Sequence, residues 1–313
     1  MPDYQPPDAR SLLETEQAIR EAVYTPIAEL SAIAWVTPEP VSFAERRQGR
    51  QLILRPGQKW SEAAFDCAWF HFTGTVPAAR TGKEIVLLID LNGEGCVVDQ
   101  EGRPVLGLTS VSSGFSREYG EPGKRVVPFR PAAAGGEPVD LWVEAGANDL
   151  FGVRRGNGTL QQAAIAIRNP RLWALQYDFS VLHELMRHLL EQSPRKARLA
   201  EALRRAAASL REFTEAEAAA ARAILAPELA MRGESPSLTV WATGHAHMDL
   251  AWLWPIRETI RKCGRTFATV LQLMERYPDY VFGASQPQQY QWVKQRYPEL
   301  YQQVKRRVAE GRW

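Results

Sequence analysis

Leu238-Thr-Val-Trp-Ala-Thr-Gly-His-Ala-His-Met-Asp-Leu-Ala-Trp-Leu-Trp254 joins an apolar stretch to a group of metal-ligand side chains. Leu238 to Thr243 reads as a strand, and His245, His247 and Asp249 follow at every second position. Residues i and i+2 of an extended chain point to the same side. Imidazole and carboxylate ligate zinc and other borderline divalent metals. The spacing thus offers two or three donors to one ion and does not name the metal. Trp252 and Trp254 come next, and indole faces beside a polar site suit a ligand with flat apolar patches, such as a sugar ring. The competing reading is structural, because a lone histidine is usually a satisfied core or surface group. Two of only five histidines, two residues apart and beside an aspartate, weigh against it.

Downstream the pattern is α/β. Arg257 to Tyr277 reads as a helix whose apolar side is Ile260, Phe267, Val270, Leu271 and Met274. Tyr280 to Ala284 reads as a second strand with Ser285 and Gln286 at its end. Gln288 to Tyr297 and Glu299 to Glu310 read as further helix. This order suits the start of a parallel barrel or open sheet, where functional groups collect at the C-terminal strand ends. A piece with about two strands leaves a sheet edge unpaired. Arg257 and Glu258 either orient neighbours of the site or pair at the helix start.

Three longer words extend the motif: Gly244-His-Ala-His-Met-Asp-Leu-Ala-Trp-Leu-Trp-Pro-Ile-Arg-Glu-Thr259, Arg261-Lys-Cys-Gly-Arg-Thr-Phe267 and Tyr280-Val-Phe-Gly-Ala-Ser-Gln-Pro-Gln-Gln-Tyr-Gln-Trp292. With the terminal Glu310-Gly-Arg-Trp313, they resemble the start of the catalytic domain of the glycoside hydrolase family 38 alpha-mannosidases, in particular their cytosolic and bacterial branch. The upstream region resembles that branch's N-terminal region as well. The resemblance implies one divalent metal ion, zinc or cobalt, with His247 and Asp249 as two of its ligands. It implies support from His245 behind those ligands and packing of Trp252 against the mannose. It also implies a retaining reaction whose aspartate nucleophile, itself a metal ligand, lies beyond Trp313, followed by a further histidine ligand and the general acid. The expectation is therefore an N-terminal part of an alpha-mannosidase, inactive by itself, with an alpha-mannoside or oligomannose substrate.

Working upstream, the expected organisation is multidomain. Residues 1–49 form a helical segment, 50–170 a beta-sandwich, 171–236 a helical linker region and 237–313 an incomplete α/β catalytic domain. Residues 11 to 35 carry Leu12, Leu13, Ile19, Val23, Ile27, Leu30 and Trp35 at roughly helical spacing, with Pro26 as a kink or end. Strands are expected at Phe65–Thr75, Glu84–Leu91, Gly95–Asp99, Arg125–Phe129, Val139–Ala145 and Gln161–Arg168. Ile85-Val-Leu-Leu-Ile89 suits an inner strand covered on both faces, and Glu101-Gly-Arg-Pro104 a hairpin loop. Trp173, Tyr177, Val181, Leu185 and Leu189 form a helical stripe, Arg198 to Leu225 a second helical tract, and Met231 to Pro236 a linker. His183 and His188, five apart, share a face poorly and read as solvent or interdomain residues.

An independent sugar site in the sandwich would use Trp69, Asn92, Glu94, Trp142, Glu144 and Asn148. The blander assignment is core tryptophans, a turn carboxylate at Glu94, and a supporting contact from Glu94 and Asn148 toward the catalytic domain.

A net charge of +2 gives no reason to invoke nucleic acid or an anionic membrane. The three cysteines are scattered, and the N-terminus has no apolar signal core, so a cytoplasmic protein is expected, compatible with a homo-oligomer. Two alternatives remain. One is a non-catalytic carbohydrate-binding or scaffold protein built on the sandwich. The other, a metal-dependent hydrolase of an amide or phosphate ester, is disfavoured by the extended match.

Overall fold

Ser11 starts the first helix with a reciprocal cap: its Oγ accepts from the Glu14 amide at 3.2 Å, and the Glu14 carboxylate accepts from the Ser11 amide at 2.8 Å. This is seen in a computed structural model that describes residues 11–109, 124–148, 158–231 and 239–313. Contacts divide the chain into two units, residues 1–26 with 166–239, and residues 27–165 with 240–313.

The first unit is helical: α1 (Leu12–Ala22), α2 (Pro170–His188), α3 (Pro194–Ala208) and α4 (Glu215–Ala230). Ile19, Val23, Leu175, Phe179, Leu199, Leu203 and Leu225 form its core. The expected tract Arg198 to Leu225 is two helices. Phe213 at φ 55° reverses the chain, and Thr214 with Glu217 caps a new start. His183 is buried and its Nδ1 lies 2.8 Å from Glu16, so it joins helices of this unit, while His188 stays exposed. In the expected linker only Met231 lies among the described residues.

The strands begin at the boundary between the two units, earlier than expected. The expected helix of residues 11 to 35 ends at Ala22, and the chain continues as strands β1 (Tyr24–Glu29) and β2 (Ser31–Thr37). The segment 1–49 is therefore not wholly helical, because residues 24–37 lie in sheets and Arg50–Leu54 forms β3. Pro26 is tolerated because β1 is an edge strand. The further strands are β4 (Cys67–Thr75), β5 (Ile85–Asp90), β6 (Glu94–Val98), β7 (Pro104–Leu108), β8 (Val126–Arg130), β9 (Pro138–Gly146) and β10 (Gln162–Arg168). One sheet has the order β3-β2-β4-β9-β6-β7, the other β1-β10-β5-β8. These sandwich-like sheets match the expectation for residues 50–170, extended at the N-terminal side. β5 is buried along its whole length between β10 and β8, as its unbroken apolar run requires. The β6–β7 hairpin closes where expected, with the Asp99 amide donating to the Arg103 carbonyl at 3.0 Å.

Trp60 is fully buried, edge-on to Phe70 at 5.4 Å, and its Nε1 donates to the Leu91 carbonyl at 3.0 Å. Trp60→Phe removes that donor and leaves a buried carbonyl unpaired, a loss of about 1–3 kcal/mol. Urea unfolding of the chain checks this, and an unchanged midpoint would contradict it.

Residues 240–313 contribute the two-residue strands β11 (Gly244–His245) and β12 (Phe282–Gly283), paired in parallel, with helices α5 (Ile256–Arg276), α6 (Pro287–Arg296) and α7 (Pro298–Ala309). The expected strand over 238–243 is displaced: residues 239–243 carry no sheet pairing, and Leu238 lies outside the described residues. The α5 helix is buried on two sides. Cys263, Phe267, Ala268 and Leu271 pack against Val293, Leu300 and Val304 of α6 and α7. Its other side is ionic and faces the sandwich.

There the Glu94 carboxylate accepts from Lys262 and Arg265, and from Asn148 Nδ2 at 2.6 Å. Arg261 pairs with Glu258, lies 3.0 Å from Glu144, and donates to the Ala145 carbonyl at 2.7 Å. The Gly107 amide donates to Thr269 Oγ1 at 2.9 Å. Glu94 is thus a buried strand residue, not a turn carboxylate, and its supporting contact goes to a helix. Through this ionic face residues 240–313 and the sandwich lie in one compact unit. Among the described residues no helix is long and apolar enough to cross a membrane.

Candidate functional site

The site begins where β11 ends. The Gly244 amide donates to the Val281 carbonyl at 2.8 Å, and Gly244 and His245 register with Phe282 and Gly283. A Cβ at residue 244 would fall 2.4 Å from Tyr280 Oη, so a larger residue here would have to displace the Tyr280 ring. His245 Nδ1 lies 2.9 Å from the Gly283 carbonyl. A carbonyl only accepts, so Nδ1 is the donor in this bond. His245 therefore ties the ends of β11 and β12 together. An open depression lined by Thr243, Gly244, His245, Gly283, Ala284 and Ser285 lies at this point.

Alternation then separates core from site. Met248 is 7% exposed and packs in the α5–α6–α7 core, with its Sδ 3.8 Å from Cys263 Sγ. Its flanking residues turn the other way: the His247 and Asp249 side chains are 81% and 40% exposed. His247 Nε2 and Asp249 Oδ1 lie 3.4 Å apart. Two donors at about 2.1 Å from one ion, at a tetrahedral angle, would be separated by about 3.4 Å. The pair therefore fits as two members of a metal's donor set. Among the described residues, no group of three or more His, Cys, Asp or Glu side chains converges to hold an ion.

The loop after Asp249 distinguishes the two tryptophans. Trp254 is held, with Nε1 donating to Thr259 Oγ1 at 2.9 Å, and Thr259 Oγ1 donating to the Leu250 carbonyl at 3.0 Å. Lys262 Nζ sits 4.5 Å from the Trp254 ring centroid, a cation–π contact. Trp252 is 57% exposed and follows His247 and Asp249 closely in sequence. Arg257 pairs with Glu39 at 3.0 Å, and Glu258 turns into the ionic core beside Arg261 and Arg265. Burial pushes Glu258 up, but Arg261, Arg265 and Lys262 outweigh it and hold the carboxyl below the usual carboxylate range.

The second βα turn is braced from its own side. Tyr290 Oη donates to the Ala284 carbonyl at 2.6 Å and accepts from Trp313 Nε1 at 2.8 Å. Gln289 is buried, and its Nε2 donates to the Met248 carbonyl at 3.1 Å and to Gln286. The sequence reading missed Gln289. Its signal was a polar residue on the apolar side of a short helix, one turn from Val293.

The sandwich tryptophans are core residues. Trp69, Trp142, Trp35 and Val98 cluster, and Trp69 Nε1 donates to the Val41 carbonyl at 3.0 Å. With Glu94, Glu144 and Asn148 in or against the ionic face, five of the six residues of an independent sugar site serve packing.

Two sequence-family models match the chain. That of the glycosyl hydrolases family 38 N-terminal domain covers residues 237–313. That of the alpha-mannosidase jelly roll domain covers residues 26–176. The chain is similar to alpha-mannosidase 2C1 of Homo sapiens, 32% identical over 301 residues that make up 92% of this chain and 28% of that protein. It is also similar to the alpha-mannosidase of Saccharomyces cerevisiae, 29% identical over 298 residues, 85% of this chain and 26% of that protein. Alpha-mannosidase G of Dictyostelium discoideum is 28% identical over 256 residues, 78% of this chain and 23% of that protein. The chain thus spans less than a third of the length of these curated relatives.

Proposed function

We propose that this chain, which matches the glycosyl hydrolases family 38 N-terminal domain over residues 237–313 and the alpha-mannosidase jelly roll domain over residues 26–176, is the N-terminal part of a metal-dependent retaining alpha-mannosidase. The substrate is the terminal alpha-mannosyl group of an oligosaccharide or small mannoside. The observation that carries this reading is the His247–Asp249 pair, 3.4 Å apart at a strand end and followed by the open indole of Trp252.

His247 and Asp249 would hold one divalent ion, zinc or cobalt. When bound, the metal supplies charge stabilisation to hydroxyls of the mannose as its ring becomes oxocarbenium-like. Trp252 gives the sugar an apolar face to pack on and shields it from water. His245, protonated at Nδ1 and fixed on Gly283, keeps the two strand ends in register beneath the site. Retaining hydrolysis also needs a nucleophilic carboxylate and an acid/base, and this reading assigns both to residues beyond 313. The three buried free thiols, Cys67, Cys96 and Cys263, support a reducing compartment such as the cytoplasm.

The test uses the product of the complete reading frame that contains these residues. It is stripped of metal by a chelator, then restored with zinc or cobalt and given chromogenic aryl glycosides. The expected result is metal-dependent release from the alpha-mannoside, with the alpha anomer of mannose formed first by proton NMR. Equal rates on the beta-mannoside, or full activity after metal removal, would overturn the reading.

A further inference from the structure

Between the two proposed metal ligands, the backbone is held from both sides. The Met248 side chain is locked in the core with Cys263, Phe267 and Leu271. Its carbonyl points the other way, toward α6, and accepts from Gln289 Nε2 at 3.1 Å. Gln289 is 3% exposed, and the same nitrogen donates to Gln286, the residue at the N-terminal end of α6 just beyond β12. The amide's orientation follows from chemistry: the Met248 carbonyl can only accept, so Nε2 must face it.

We infer that Gln289 is a positioning residue for the metal site, clamping the peptide between His247 and Asp249 so that both side chains leave the strand end on the same side. This rests on the reading of His247 and Asp249 as metal ligands. In an extended chain, a rotation of residue 248 about its own axis swings both neighbours together. The side chain of Met248 opposes that rotation only through soft apolar contacts, because an unbranched thioether adapts to the space it is given. The hydrogen bond to Gln289 is directional, and it lies in a buried setting where an unpaired carbonyl is costly. It also links the end of the first strand to the turn after the second, in parallel with the His245–Gly283 contact. Losing it would free the peptide plane without removing either ligand. Partners behind metal ligands, when removed, typically weaken metal affinity or activity by about 10–100-fold.

The experiment measures Zn²⁺ affinity of the complete protein by competition with a chromophoric chelator. It compares the unaltered protein with Gln289→Leu, Gln289→Met and His247→Ala, and records the thermal midpoint of each metal-free form. The expected result is an affinity loss of about 10–100-fold in both Gln289 variants, beyond the modest fall in midpoint that one unpaired buried carbonyl causes. His247→Ala should lose more than either. Unchanged affinity in both Gln289 variants overturns the inference, as does an affinity loss that merely tracks a fall in midpoint, or failure of both to fold, which would assign Gln289 to folding. If His247→Ala binds zinc as tightly as the unaltered protein, the metal reading itself fails, whatever the Gln289 variants do.

Discussion

His247→Ala and Asp249→Ala, each made in the complete protein, should lower kcat/KM toward an aryl alpha-mannoside by on the order of 10³-fold. Metal stabilisation of transition-state charge amounts to several kcal/mol, and each 1.36 kcal/mol is a factor of ten. The loss should fall mainly on kcat, because the stabilised charge develops only in the transition state. Bound metal, measured by elemental analysis, should fall in the same variants. The unfolding midpoint should barely move, because both side chains face solvent at 81% and 40% exposure and support no core. Trp252→Ala should behave differently, raising KM while the metal content stays intact. Full metal content with full activity in both alanine variants would remove the pair from the site.

Glu94→Ala should destabilise the chain by about 3–5 kcal/mol, the usual cost of removing one partner from a buried ion pair. Glu94 is the shared acceptor for Lys262 and Arg265, and both cations would be left in the interior. The contrast is informative. Replacing Glu94, Lys262 and Arg265 together by Leu, Met and Met should cost much less, because burying three charges is itself expensive. Chemical unfolding of the two variants separates these outcomes, and equal losses would mean that the charges act only through their volume. The same ionic face predicts acid sensitivity. The Glu258 carboxyl is held below its unfolded value of about 4.3. Its contribution is therefore fully present above that pH and is lost as pH falls through the folded-state value. Thermal midpoints should be flat from neutral pH to about 5 and drop below about 4. Glu258→Gln should flatten that acid limb.

Some of this molecule was legible before folding because the signal was local. The run Ile85 to Ile89 suited a strand covered on both faces, and β5 is buried along its length. The helix expected at Arg257 to Tyr277 occurs at Ile256–Arg276, since its apolar repeat spans several turns. The two-residue spacing of His247 and Asp249 put their side chains on one side, and the folded chain adds that Met248 between them enters the core. Other features needed partners distant in sequence. Tyr24 to Thr37 carries apolar residues at spacings that fit helix or strand, and pairing with β3 and β4 decided for strand in β2. Leu238 to Thr243 has strand composition, yet among the described residues only Gly244 and His245 meet a neighbour, Phe282 and Gly283. A strand exists only where another backbone accepts its hydrogen bonds.

The ionic side of α5 is the clearest such case. Glu258, Arg261, Lys262 and Arg265 have the three- and four-residue spacings of an ordinary solvated helix face. Nothing in that spacing says that the face is buried, because the charges that match it lie 168 and 171 residues away, at Glu94. The sequence by itself determined the buried run of β5, the long α5 helix and the common side taken by His247 and Asp249, since periodicity and alternation are properties of neighbours along the chain. Only the tertiary structure decided which polar side chains are buried, and so which of them hold the site in place, because burial depends on what packs against a face.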